Sequence, residues 1–150
     1  MLFRSGLLEE NADLFRFCRL MIRFRAWHPM LRHPLHPGLA GAAGGSAEVR
    51  WHGTRPGCPD WSPGSRVLAL EWRGTGEQGQ SDAVYCAMNM YWEPLDFELP
   101  SPPPGRRWRV FANTTMPSPE DIWDPGEEPP LLDQERLPVG GRSTIVLVAR

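Results

Sequence analysis

Proline and glycine set the terms on which this chain can fold. Its 150 residues include 17 prolines and 15 glycines, so about a fifth of the positions interrupt regular structure. Proline lacks an amide hydrogen and breaks helices, while glycine takes up turn conformations that other residues avoid. Hydrophobic residues make up 41% of the chain, enough for one ordinary domain with a real core. Many short elements joined by turns are expected, which favours strands over a helical bundle.

One stretch escapes the punctuation. Residues 11–28, NADLFRFCRLMIRFRAWH, predict a helix, with Asn11 as N-cap and Asp13 in the positive first turn. Leu14, Phe17, Cys18, Met21 and Ile22 fall on one face at helical spacing, and Arg16, Arg19 and Arg23 on another. Phe15, Leu20 and Phe24 widen the apolar surface beyond what a small sheet alone would cover. Pro29 stops the helix and biases His28 towards extended backbone. Three His-Pro pairs follow, and His28, His33 and His36 invite a zinc reading. Proline after each favours an extended connector instead, and no Cys or carboxylate joins the cluster. The Gly/Ala tract at 38–47 reads as a flexible linker. The expected organisation is a helix and connector at 1–37, the linker at 38–47 and a second domain at 48–150.

Beyond the linker the period changes from helical to alternating. Residues 48–51, 66–72, 83–92, 95–99, 107–113 and 142–150 are short runs with β preference. Within one of them Val84, Cys86, Met88 and Met90 alternate with Tyr85, Ala87, Asn89 and Tyr91. The expected fold is mainly β: an antiparallel Greek-key β-sandwich preceded by one α-helix. Residues 114–135, rich in proline and acid, fit a crossover over a sandwich edge.

Chemistry is sparse in the pattern. Net charge is −2, and all 16 basic residues are arginine, so no global field draws nucleic acid. No apolar run reaches membrane-spanning length. Cys18, Cys58 and Cys86 are widely spaced and odd in number, which points to reduced thiols in a cytoplasm. Glu127 and Glu128 sit among prolines and read as a solvated loop, Glu93 as a turn residue before Pro94, and Asp60 as an Asx-type loop closure. Cys58 has His52 as its one nearby base, a weak basis for cysteine catalysis. No serine nucleophile elbow is present. The stretch WHGTRPGCPDW, 51–61, brackets a loop with two tryptophans. Three readings compete: tryptophans buried to pin the loop, a sugar-stacking platform, and a Cys58 site. The first is favoured, as is a core role for most of the seven tryptophans. Under it, Trp51→Ala or Trp61→Ala should cost about 3–5 kcal/mol, as large-to-small core changes do.

Residues 7–32, LLEENADLFRFCRLMIRFRAWHPMLR, resemble the last barrel helix of isoamylase-type glycogen debranching enzymes of the α-amylase superfamily. Residues 49–72 resemble the start of their C-terminal domain, where a Trp-His-Gly segment leads to a Pro-Asp-Trp turn. MNMYWEPLDFELP (88–100), WRVFANTTMPSPEDI (108–122) and the closing RSTIVLVAR continue the order. The resemblance covers about residues 7–150. It implies a β-sandwich beside a (β/α)₈ barrel, in enzymes that hydrolyse α-1,6 branch links of glycogen-like glucans. It also implies that the catalytic carboxylates sit on barrel strands upstream of the matched region. The expectation is therefore an accessory piece with no catalytic, cofactor or metal residue of its own. Its expected partners are the missing barrel and α-glucan, with neither nucleic acid nor membrane; the alternative is a free-standing carbohydrate-binding module.

Overall fold

The computed structural model describes residues 3–32, 47–76 and 78–150. The linker at 38–47, save Ala47, and His33 and His36 lie outside them. Two helices come first, α1 (Phe3–Glu10) and α2 (Ala12–Trp27). Strands β1 (Glu48–His52), β2 (Val67–Thr75), β3 (Ser81–Asn89), β4 (Leu95–Glu98), β5 (Trp108–Asn113), β6 (Arg136–Val139) and β7 (Ser143–Ala149) follow. They form an antiparallel sandwich: a five-stranded sheet ordered β1-β2-β3-β7-β5 faces a two-stranded sheet, β4-β6. After β3 the chain changes sheet at every connection, and β7 returns between β3 and β5 as a Greek key requires.

Asn11 does not cap α2 through its side chain. Its Nδ2 donates to the Leu7 carbonyl at 2.8 Å, and its backbone continues the i to i−4 pattern from α1 into α2. The helical region therefore starts earlier than the sequence indicated. Its end is as expected. His28 is extended (φ −112°, ψ 92°), and Pro29–Arg32 form one 3₁₀ turn.

Two cores share the large sheet, because alternate residues of β3 point to opposite faces. Tyr85 and Ala87 pack between the sheets with Phe97, Trp108, Leu137 and Leu147. Val84 points outward, where Leu20 and Phe24 of α2 meet Phe111, Ile122, Val146 and Val148. Phe24 and Phe111 stack with ring centroids 3.8 Å apart. Arg16 ties α2 to Asp121 and to the Ile122 carbonyl, and Arg23 reaches Asp124. Buried at the end of α2, His28 Nδ1 lies 2.6 Å from Asp82 Oδ2 at the start of β3. The helix is a third layer of the fold rather than a loose appendage.

Residues 114–135 run beside β5, the free edge of the large sheet. Val110 N–H donates to the Pro129 carbonyl, Trp123 N–H to Phe111 and Leu131 N–H to Trp108. The side-chain amide of Gln134 bonds both the N–H and the carbonyl of Trp108, standing in for a further strand. An irregular segment thus satisfies an edge that would otherwise be open to aggregation. Strand β6 was not visible in the sequence, because Pro138 sits inside it. It pairs with β4 alone, and an edge strand tolerates a proline that a central strand would not.

Candidate functional site

The loop after β1 does not hold itself together in the way its tryptophans suggested. Trp51 is 44% exposed and Trp61 65%, so neither belongs to a core. They meet each other edge to face, with ring centroids 5.3 Å apart and planes at 66°. What pins the loop is the residue between them and the core. His52 is buried, and its Nδ1 accepts a hydrogen bond from Gly57 N–H at 2.7 Å. Gly53 is required by close approach, since a Cβ there would stand 2.4 Å from the Cys58 carbonyl oxygen. Gly57 turns the chain at φ +69°. The Trp-His-Gly run is a loop anchor in which histidine and glycine, not tryptophan, carry the structure.

Behind His52 lies a buried polar group. Its Nε2 is 3.7 Å from Glu71 Oε2, and Glu71, fully buried on β2, takes the Arg73 guanidinium on its other oxygen at 2.7 Å. Tyr85, opposite Glu71 in the register, presents a buried hydroxyl to the same region. Burial lowers the His52 pKa, with the cations of Arg50 and Arg73 adding to it and Glu71 opposing. Burial likewise pushes the Tyr85 hydroxyl up. This group sits between the sheets and makes no cleft.

An open groove of about 450 Å³ does lie beside the loop. Trp61 forms one wall, Leu68, Met88 and Met90 the floor, and Asp60, Ser62, Ser65 and Arg66 the polar rim. Asp60 Oδ1 accepts from Ser62 N–H at 2.9 Å, the Asx closure expected from the sequence, and this bond lowers its pKa. Asn89, buried at the end of β3, holds the neighbouring turn. Its amide nitrogen lies within 3.0 Å of the carbonyls of Glu93, Val139 and Gly140, and its oxygen accepts from Tyr91 N–H. In that turn Tyr91 and the exposed Trp92 stack at 3.9 Å.

The remaining sequence candidates fall elsewhere. Only Trp108 of the seven tryptophans is fully buried, its Nε1 donating to the Pro100 carbonyl; Trp27, Trp51, Trp61 and Trp92 are exposed. The expected core role for most of them is therefore corrected: the two cores are filled by Tyr85, Phe97, Phe24, Phe111 and aliphatic side chains, with Trp108 the one fully buried indole. Glu127 is exposed as expected, but Glu128 is not solvated: it is buried against Arg150 Nε at 3.2 Å. Glu93 is exposed in its turn. Cys58 is exposed, and the lone pair of His52 Nδ1 that could have served it is taken by Gly57. The groove contains one carboxylate, Asp60, where glycoside hydrolysis takes two. Among the described residues no cluster of three or more His, Cys, Asp or Glu is arranged to hold a metal ion. No described helix is long and apolar enough to cross a membrane.

The chain is thus a β-sandwich with an integral helical layer, two cores and an open groove beside the loop that follows β1. The family described as "Isoamylase 1-3, C-terminal" matches residues 50–138, well over half of the chain, and the chain belongs to that family. Isoamylase 1, chloroplastic, of Oryza sativa subsp. japonica is 37% identical over 120 residues, covering 80% of this chain and 13% of that protein. Its Arabidopsis thaliana namesake is 32% identical over 78% of this chain and 13% of that protein. Isoamylase of Flavobacterium sp is 28% identical over 95% of this chain and 18% of that protein. The chain thus spans less than a fifth of the length of these relatives.

Proposed function

We propose that this chain is the non-catalytic C-terminal domain of an isoamylase-type debranching enzyme, one that cleaves α-1,6 branch links in glycogen-like glucans. Its helix pair seats against the catalytic (β/α)₈ barrel. One observation carries this reading. Leu7 and Leu8 on α1 and Leu14, Phe15 and Ile22 on α2 are each more than half exposed, while Leu20 and Phe24 of α2 are packed into the outer core. Burying one such side chain is worth about 1.5–3 kcal/mol. Five of them left in water call for a partner, and the much longer relatives have the chain length to supply one. The catalytic carboxylates belong to that partner. A free-standing module would have no use for a helix that completes its core on one side and stays apolar on the other. Free thiols at Cys18, Cys58 and Cys86, the last raised to about 11 by burial, suit the reducing cytoplasm we assign to it.

The test is association. The chain is mixed with an isoamylase barrel lacking its C-terminal domain, and complex formation is followed by analytical ultracentrifugation. A complex is expected, and Leu14→Asp with Ile22→Asp should abolish it without unfolding the sandwich. The chain alone should release no reducing ends from a branched glucan. Absence of a complex, or hydrolysis that tracks the pure chain, would overturn the reading.

A further inference from the structure

The buried pair at the end of α2 borders a polar cavity. His28 and Asp82 have side chains only 4% and 9% exposed, and His28 Nδ1 lies 2.6 Å from Asp82 Oδ2. That contact ties α2 to β3 and accounts for one ring nitrogen. The other, Nε2, is buried and has no hydrogen-bond partner among the described residues. A buried polar nitrogen left unpaired costs free energy, so a tether alone does not explain the histidine. Both residues line a cavity of about 520 Å³, a size typical of small-molecule sites.

The other polar groups along this cavity are mostly donors. Arg106 lines it and has no side-chain partner among the described residues. Arg150 gives its Nε to Glu128 at 3.2 Å, which leaves its two terminal NH₂ groups. Gln80 Oε1 accepts from the Gln78 N–H at 3.0 Å, so its amide nitrogen is the end left to donate. The Ser81 hydroxyl stands among the same lining residues. Asp82 is the one carboxylate there, and His28 engages it. In the imidazolium form the ring donates through Nδ1 to Asp82 and keeps Nε2–H for a ligand, and the charges of the pair cancel.

Donors in excess, two of them guanidinium forks, select an oxyanion. A cation would meet two arginines, and a neutral ligand would leave them without counter-charge. The spread of the donors narrows the class. A carboxylate carries two oxygens on one edge and a single charge. A phosphate group presents three acceptor oxygens and nearly two charges, which suits donors arriving from α2, the β2–β3 turn and the segments flanking β5 and β7. The cavity leaves room for more than a phosphate group, and Trp27, 44% exposed, adds an apolar indole surface to its lining. We propose that this cavity binds the phosphate group of a small phosphorylated molecule, held by Arg106 and Arg150, with Ser81, Gln80 and the His28 ring completing the donor set. The site lies wholly within this chain, so it does not depend on the seating of the barrel.

The experiment is titration of the full chain with inorganic phosphate at constant ionic strength, followed by calorimetry and by NMR of the His28 ring. Saturable binding is expected, with a shift of the His28 Nε2 resonance. Acetate should bind at least about tenfold more weakly. Arg106→Ala should weaken phosphate at least about tenfold, as loss of a charge-assisted hydrogen bond does. Its melting temperature should stay at the wild-type value, since the Arg106 side chain bonds nothing within the described fold. Arg106→Lys should restore part of the loss, because lysine keeps the charge but not the fork. His28→Asn should weaken binding too, but it also cuts the tether to β3, so Arg106→Ala is the deciding variant. No saturable binding of phosphate, equal binding of acetate, or affinity unmoved by Arg106→Ala would each overturn the site. So would phosphate-induced shifts spread evenly over the exposed arginines, which mark screening rather than a site.

Discussion

The two faces of the five-stranded sheet are packed by different rules. The inner face is closed: Tyr85, Trp108 and Phe97 are inaccessible, and the second sheet covers them. The outer face is closed only where α2 lies on it. Leu20 and Phe24 are buried there, but Phe17, Met21, Trp72 and Cys86 at the border are only partly covered, and a groove of about 420 Å³ opens between them. A core that is complete within one chain reports on folding. A core that fades into exposed leucine and phenylalanine reports on association, because such surface is seldom left uncovered.

The comparison is easiest to break at the inner core. Trp108→Ala removes the largest fully buried side chain and orphans the Pro100 carbonyl, so a loss of about 3–5 kcal/mol is expected in urea unfolding. Phe24→Ala acts at the outer core, whose border can relax, and should cost about 2–4 kcal/mol in the same measurement. Equal costs at the two sites would mean that the outer core is as closed as the inner one.

Acid offers a smaller and more selective lever. The fold holds His52 below its ordinary value of 6.5, so it favours the neutral ring, and Gly57 N–H occupies the nitrogen that would take a proton. Its contribution is therefore present above pH 6.5 and lost as pH falls through the lower folded value. Melting temperature should decline on acidification below 6.5, and His52→Asn should flatten that part of the profile. A profile unchanged by the substitution would remove His52 from the role of loop anchor.

The smallest effects belong to the exposed residues. Trp61→Ala should change unfolding free energy by no more than about 0.5 kcal/mol, as surface substitutions do. That replaces the core-sized loss expected from the sequence. Ile22→Asp should be equally mild in stability but should reduce self-association of the isolated chain in light scattering at high concentration. Aggregation undiminished by that change would shift attention to the border groove beside Trp72.

Local rules account for much of the architecture. Proline and glycine spacing announced short strands, and six of the seven runs were visible as alternating or apolar segments. Pro29 ended α2 at the expected place, since a missing amide hydrogen and a steric clash act on neighbouring residues whatever the rest of the chain does. The Asx closure at Asp60 was legible for the same reason, spanning only two residues. Matters that depend on distant partners were not. Strand β6 is a strand because β4 lies beside it, against the advice of Pro138. Glu128 is buried because Arg150, 22 residues away, reaches it. Trp108 and Trp61 are the same side chain in sequence terms, yet one fills the space between the sheets and the other stands in solvent. Which indole is core depends on which sheet face lies opposite, and that is set by packing across long sequence separations rather than by any neighbour along the chain.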